Sequence, residues 1–430
     1  MYMSLHRLSC SQSVDQHQRW LAAIILVASL LGCAAPDPGT AQPPVATVTT
    51  AQPAAAPATP PPPPPPVALP HDEAILAAAR DLFGKAQLPA GQKYNVIIDP
   101  LVDGATGLQS LATVAIEKKV VALMGSDFSQ FQWKPLNAAN LSALPLVFIG
   151  TFTPINLQGK GDGERNAYRV CFALADLKTG KIVSKGFARA QTGGVDPSPL
   201  PYFRDAPLWI NDRIVEGYIK TCQGTKAGDP IQAAYLDKVS AIASIEEATQ
   251  AYNQRKYKES LALFTALLRN PAGDQPRVHT GIYLSNLRLG RREPAMKAFA
   301  KIAEQGLGAK RLAVKFGFQN GGTRFSKDDA PYDRWLKELA RQSAQVATTT
   351  GGCIEVAGHT GRAGSEALNE RVSLQRAEYV RQRLIEQRKD LAKHLSARGY
   401  GSKDPLVATG REDVSDALDR RIELKPVSCS

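Results

Sequence analysis

Seven consecutive prolines, Pro60–Pro66, set the first limit on how this chain folds. Proline offers no amide proton and its ring fixes φ, so neither a helix interior nor a central strand accommodates such a run. The run lies in a longer biased stretch. Of the chain's 30 prolines, 14 fall between Ala34 and Pro70, where Asp37 is the only charged residue. This composition favours polyproline II, which at ~3.1 Å per residue would let the stretch reach roughly 115 Å. It reads as a disordered linker, residues 33–70 counting Cys33, with no core of its own. Across the whole chain, 43% hydrophobic and 21% charged residues are ordinary globular values, so the remainder is folded.

Upstream of the linker, Trp20–Gly32 is an uncharged, mostly apolar run behind Arg19. It is too short to cross a bilayer as a helix, which takes about 20 residues, and its length suits a secretory signal. The string Leu30-Leu31-Gly32-Cys33 resembles a bacterial lipobox. That resemblance implies a signal peptide over 1–32 and lipidation of Cys33, with palmitate among the acyl chains. Each buried CH2 of such chains contributes about 0.8 kcal/mol to membrane anchoring. Ala34, where an aspartate would favour the inner membrane, points to the outer membrane, with the folded part facing the periplasm.

The formal net charge is +12, but the cations are interspersed with acids; residues 351–430 hold 14 Lys and Arg against 12 Asp and Glu. Basic clusters with interleaved aromatics are absent, which argues against a nucleic-acid partner. Export places the cysteines in an oxidising space. With Cys10 in the signal and Cys33 lipidated, Cys171, Cys222, Cys353 and Cys429 remain, an even number with three possible pairings.

Residues 71–225 read as mixed α/β. Ile75, Leu76, Ala79, Leu82 and Phe83 recur at helical spacing behind Asp72, a candidate cap. Strands are expected over 95–101 and 146–152, a helix over 108–124, and a hairpin from 168–177 and 182–190 around Gly180. A last helix is expected over 208–222. This order, with Asp176-Leu177-Lys178-Thr179-Gly180-Lys181-Ile182-Val183, resembles the periplasmic α/β sandwich domain of the CsgG, FlgO and LpoB lipoproteins. The resemblance implies an interaction module, which in such lipoproteins activates a peptidoglycan synthase or joins a secretion or assembly complex.

Residues 238–306 turn alanine-rich and helical. Tyr257, Ser260, Phe264 and Leu267 are echoed by Arg292, Ala295, Phe299 and Ile302, each 35 residues later, near the 34-residue period of TPR repeats. Short TPR-like α-hairpins follow from that period. Two repeats bury little surface alone, so the segment is either a connector packed on a neighbour or a groove for a peptide.

The most specific pattern runs over 311–430. Ile354–Thr360 reads as a strand, followed by a turn with Gly361 and Gly364. A long helix then carries Asn369, Val372, Ser373, Arg376, Ala377, Val380 and Leu384, with Arg376 near its start. Later come Ala397-Arg398-Gly399-Tyr400-Gly401 and Asp419-Arg420-Arg421-Ile422-Glu423-Leu424. Together these resemble the OmpA-like peptidoglycan-binding domain, a βαβαββ fold. Val314–Phe318 would then be its first strand and Tyr332–Gln345 its first helix. In that family an aspartate closing G-H-T-D meets the amine of a diaminopimelate side chain, and the arginine of S-x-x-R-A meets its carboxylate. The resemblance thus assigns peptidoglycan contact to His359, Thr360, Gly361, Asn369, Arg376 and Arg420. Arg376 supplies a guanidinium fork suited to a carboxylate. The aspartate is replaced by Gly361, Asp419 stands where asparagine is usual, and Gln319 stands where aspartate is frequent; Glu366 is a substitute acid. In this fold Cys353 and Cys429 lie on adjacent strands and would pair, leaving Cys171 for Cys222; the latter two could equally be buried thiols.

The histidines show no H-E-x-x-H spacing and G-x-S-x-G is absent, so neither an enzyme nor a cofactor or metal is expected. The sequence therefore describes a multidomain α/β and α lipoprotein. It would be held in the outer membrane by its lipid, touch peptidoglycan through residues 311–430, and tether or organise the cell envelope, with a periplasmic protein partner as the alternative.

Overall fold

The computed structural model describes residues 67–319, 321–326, 331–411 and 413–429. The signal peptide, Cys33 and nearly all of the proline-rich linker lie outside the described residues.

The first sheet is built from residues 71–191. Helix α1 (His71–Gly84) precedes β1 (Tyr94–Ile98), α2 (Leu111–Asp127), β2 (Phe131–Lys134), α3 (Ala138–Ser142), β3 (Leu146–Ile155), β4 (Ala167–Asp176) and β5 (Lys181–Gln191). The strand order is β2-β1-β3-β4-β5, with β1 parallel to both neighbours and β3, β4 and β5 antiparallel. The expected hairpin forms as β4 and β5, turning on Gly180 at φ +68°, a conformation glycine adopts without steric cost. Pro70, not Asp72, is the N-cap of α1; Asp72 lies in its first turn, where a carboxylate meets the positive end of the helix dipole. Ser110 caps α2 by a reciprocal capping box with Thr113, which starts that helix at Leu111.

Every residue of β3 is buried, as a strand covered on both faces requires. On one face Ile75, Leu82, Ile116 and Val120 of α1 and α2 pack with Phe148 and Phe172. On the other lie α5 (Arg213–Gln223) and α6 (Ala233–Leu236), whose Tyr218 and Tyr235 meet Ile97, Val147 and Ile149. Cys171 of β4 is disulfide-bonded to Cys222 at the end of α5. Lys185 reinforces the same corner: its ammonium donates to the carbonyls of Thr221 and Cys222, the negative end of α5. Burial lowers the Lys185 pKa to about 8.

The helix expected over 208–222 divides. Leu208–Ile210 is strand β6, following α4 (Pro201–Asp205), and the helix α5 starts only after Asp212, whose carboxylate accepts from the Ile214 amide (2.8 Å). Leu208 and Ile210 are buried, while Trp209 on the opposite face donates from Nε1 to the Thr106 carbonyl (2.8 Å). That alternation is a strand's period, not a helix's.

The helical segment contains α7 (Ile242–Asn253), α8 (Tyr257–Leu267), α9 (Pro276–Arg288) and α10 (Arg292–Gly308). The 35-residue echoes occupy matching places: Tyr257 and Arg292 open α8 and α10, and Ser260, Ala295, Phe264, Phe299 and Ile302 are all buried. A Cβ on Gly281 would come within 2.1 Å of the Phe264 ring, so glycine is what lets α9 close on α8. Their apolar faces enter one core with the second sheet: Phe299 stacks on Trp335 (5.6 Å), whose Nε1 donates to Tyr283 Oη (3.1 Å).

The second sheet adds β7 (Leu312–Val314), α11 (Tyr332–Thr350), β8 (Cys353–Gly358), α12 (Glu366–Gln387), β9 (Leu395–Gly399) and β10 (Ile422–Val427). From β7 onward this is the βαβαββ order. The strands lie β6-β7-β10-β8-β9, so the sheet takes its edge strand from residues 208–210, inside the stretch read as a separate α/β unit. The first strand is Leu312–Val314, not Val314–Phe318; after Val314 the chain leaves the ladder, and Lys315 donates to the Arg204 carbonyl (2.8 Å). Cys353 and Cys429 are disulfide-bonded. In the chain-entropy picture, loops of 51 and 76 residues each gain about 4 kcal/mol from closure.

Two buried polar clusters join these layers. Arg165 donates from Nη1 to the carbonyls of Leu406 (3.1 Å) and Val407 (2.7 Å), and from Nη2 to that of Pro405 (3.1 Å). Asp99, Glu117 and Glu246 converge where α2, α6 and α7 meet the end of β1. Tyr235 Oη donates to Asp99 (2.6 Å), the Leu101 amide to Glu117 (2.7 Å), and Gln109 to Glu246 (3.1 Å). Burial raises Asp99 to about 7 and Glu117 to about 8.

Two outcomes are expected. Arg165→Met strands the carbonyl oxygens of Pro405, Leu406 and Val407, and that of Gly161, and should cost about 3 kcal/mol in urea unfolding; an unchanged midpoint would show that the contact contributes nothing. Because both carboxyl pKa values are raised by folding, the native state gains stability below pH 4 that is lost as pH rises through about 7 to 8. A group moved from 3.8 to about 7 represents on the order of 4 kcal/mol. Asp99→Asn keeps an acceptor for Tyr235 and should raise the melting temperature at pH 8.5 but hardly at pH 4; an equal effect at both would contradict the assignment.

Candidate functional site

A cleft of about 790 Å³ opens beside the second sheet where three chain segments converge. Its walls are the residues after β7 (Phe316, Phe318, Gln319), the turn Thr360–Gly364 between β8 and α12, and Asn369, Val372 and Arg376 of α12. Ala417 and Arg420, just ahead of β10, close it. The turn is fixed by Ser365, which caps α12 through the Leu368 amide (3.3 Å), and by the Thr360 amide on the Gly401 carbonyl (2.9 Å).

Arg376 is not near the helix start: it is the eleventh of the 22 residues of α12, and its side chain still reaches the cleft. Nε donates to the Gly322 carbonyl (2.9 Å), and the guanidinium lies 4.7 Å from the Phe318 ring centroid. Stacking on an aromatic face holds the fork in one orientation. Burial and the neighbouring Arg420 both disfavour its charge, and the shift is downward. Arg420 is anchored through Nη2 on the Asp413 carbonyl (2.9 Å).

Two polar atoms in the cleft wall, Thr360 Oγ1 and Asn369 Nδ2, are buried and have no hydrogen-bond partner among the described residues. Each residue is only 6% exposed. Buried donors and acceptors are nearly always paired, so these two atoms are open to a partner from outside the protein, water or a ligand. Gly361 leaves the centre of the turn without a side chain. Among the described residues lining the cleft there is no carboxylate; Glu366 is held outside it by Lys403 (3.0 Å).

Five of the six candidate residues thus share one cleft: Thr360, Gly361, Asn369, Arg376 and Arg420. His359 does not line it. The ring is buried, stacks on Tyr400 (5.1 Å between centroids, 8° between planes) and lies 4.0 Å from Glu423. Burial, followed by the charge of Arg421, lowers its pKa to about 2, so it is neutral. Consecutive arginines also separate. Arg420 faces the cleft, while Arg421 is buried behind it, donating from Nε to Glu423 (2.6 Å), which Arg311 also contacts (2.9 Å). Burial alone would raise Glu423, but those guanidiniums hold it well below the usual carboxylate range.

Asp419 is a structural residue that the sequence left unexplained. Its carboxylate accepts from the amides of Leu406 (2.7 Å), Val407 (2.8 Å) and Ala408 (2.7 Å), which shapes the loop that Arg165 grips. Phe318, the platform under Arg376, lies at the end of the stretch expected as the first strand, Val314–Phe318, and was given no part in the site. No described helix is long and apolar enough to cross a membrane.

Residues 318–417 match the OmpA family. Among curated proteins, this chain is 38% identical over 90 residues to outer membrane porin F of Pseudomonas fluorescens, covering 20% of this chain and 26% of that one. It is 29% identical over 90 residues to outer membrane protein Omp38 of Acinetobacter baumannii, covering 21% and 25%. The chain therefore spans about a quarter of the length of these relatives. Among solved structures, similar ones include the periplasmic domain of Helicobacter pylori MotB (16% identity, 28% of this chain and 76% of that one, TM-score 0.24). Another is the peptidoglycan-associated lipoprotein of Burkholderia pseudomallei (23%, 26% and 88%, TM-score 0.22). Within this chain, residues 318–417 form a domain of the OmpA family.

Proposed function

We propose that this chain is an outer-membrane lipoprotein, anchored through Cys33, that associates with peptidoglycan through the cleft around Arg376 and so ties the membrane to the wall. One observation carries the reading: Arg376, laid on Phe318, and the orphaned Thr360 Oγ1 and Asn369 Nδ2 face one opening in an OmpA-family domain. Guanidinium would take the carboxylate of a stem-peptide side chain, and the threonine and asparagine its peptide groups. The outer-membrane names of the matched relatives and the lipobox-like Leu30–Cys33 support the location. The role is binding, with the wall as ligand.

A second reading, in which the part of the chain with the first sheet binds a periplasmic protein, is favoured by one feature. A cleft of about 600 Å³ at the ends of β1 and β2 exposes Trp133 beside Val121 and Leu136.

Co-sedimentation of the full-length chain with purified sacculi tests the first reading. Wild type should pellet with sacculi at physiological salt. Arg376→Ala removes a charged hydrogen-bond donor worth about 1.5–3 kcal/mol and should weaken binding at least tenfold. Wild type remaining in the supernatant, even at low salt, would overturn the proposal.

A further inference from the structure

We propose that Cys353, His394 and Cys429 form a zinc site when the disulfide between the two cysteines is reduced. The two sulfurs and one imidazole nitrogen lie within 4.8 Å of one another. Ligands bound at ~2.0–2.3 Å around a tetrahedral zinc are about 3.5–3.8 Å apart, so once the bond is reduced the two sulfurs separate to that spacing and the imidazole closes by at most about 1 Å.

The trio is a product of the sheet, not of chance proximity on loops. β8 opens with Cys353, which stands opposite Val427 of β10, and Cys429 follows two residues later. On the other side of β8, Ile354 pairs with Leu395, and the Ile354 amide donates to the His394 carbonyl (2.8 Å). All three ligands therefore sit at the same end of the adjacent strands β10-β8-β9. The imidazole is oriented by Nδ1 on the Gly352 carbonyl (3.1 Å), an arrangement in which one ring nitrogen engages a carbonyl and the other keeps its lone pair for a metal. Two thiolates, one imidazole and a water complete a four-coordinate zinc shell.

The other trio of possible ligands, His359, Asp404 and Glu423, differs in kind, because Arg421, Arg311 and Lys425 already occupy the Glu423 oxygens. The disulfides differ too. Cys171 and Cys222 are fully buried, whereas Cys429 is exposed and Cys353 partly so. Thiol–disulfide exchange needs access of the attacking thiolate, so the second bridge is the one a reductant opens. A dithiol donates two electrons and two protons to the Cys353–Cys429 bond and becomes a disulfide. Zinc then displaces the two thiol protons, which pass to solvent, and binds both sulfurs. The bridge and the ion are alternative clamps on the same strand ends.

The test uses the full-length chain, reduced with dithiothreitol, freed of it anaerobically and titrated with Co²⁺ and then Zn²⁺. Reduced wild type should take up one Co²⁺ per chain, with a thiolate charge-transfer band and tetrahedral d–d bands that Zn²⁺ abolishes. The oxidised protein should show neither. His394→Ala should bind at least tenfold more weakly. Cys353→Ser/Cys429→Ser should lose the bands, as should wild type alkylated at its accessible thiols, a comparison that needs no variant to fold. Absence of the thiolate band in the reduced wild type, or its survival in the alkylated protein, would overturn the proposal.

Discussion

Three residues hold the architecture together: Leu208–Ile210 pair with Leu312–Val314 and so extend a sheet built from sequence 100 residues away. A short edge strand contributes few hydrogen bonds, but its position is decisive. It places the apolar side chains of Leu208 and Ile210 in the core that the helices α7–α10 share with Trp335 and the second sheet. Two helical hairpins cannot bury their faces alone. Here the missing layer is supplied by α11 and the sheet, so the helical segment acts as a wedge between the α/β layers. The described residues accordingly fall in one compact unit. Arg165 and Asp419 repeat the arrangement from the far side, one gripping the carbonyls and the other the amides of the loop at 405–408.

Much of this was legible because the signals were periodic. The 35-residue echo relates Phe264 and Phe299, which are buried at the same helical position of α8 and α10, since burial at matching positions is what such a period encodes. The family resemblance carried by the landmarks of residues 354–424 implied the βαβαββ order and the pairing of Cys353 with Cys429. What failed was short or context-dependent. Leu208-Trp209-Ile210 is too brief to show an alternation, and it runs into a true helix, so the two merged into one. β2, four residues with Trp133 exposed, carries no pattern that separates it from a loop. The first strand of the second sheet slipped because Phe316 and Phe318 look like strand residues, although their rings serve the core edge and the cleft.

The cleft shows the same division. Family landmarks located Thr360, Gly361, Asn369, Arg376 and Arg420, because turn and helix geometry follow from local sequence. Burial does not, and it removes His359 from the set: the ring sits behind the turn, neutral, against Tyr400. Nor could sequence separate Arg420 from Arg421, neighbours just ahead of β10 whose side chains part, one to the cleft and one to Glu423. With Gly361 in the turn, the described lining is largely apolar and carries the cations Lys315, Arg376 and Arg420 with no carboxylate, and the recognition it supports rests on Arg376, Thr360 and Asn369.

A stem peptide of the wall seated in this cleft would shield the three segments that line it. Hydrogen–deuterium exchange on the full-length chain, with and without a soluble peptidoglycan fragment, reads it most directly. Exchange should slow in 316–322, 360–364 and 368–376, with the first sheet unchanged. Protection confined to residues 71–225, or none at saturating fragment, would contradict it.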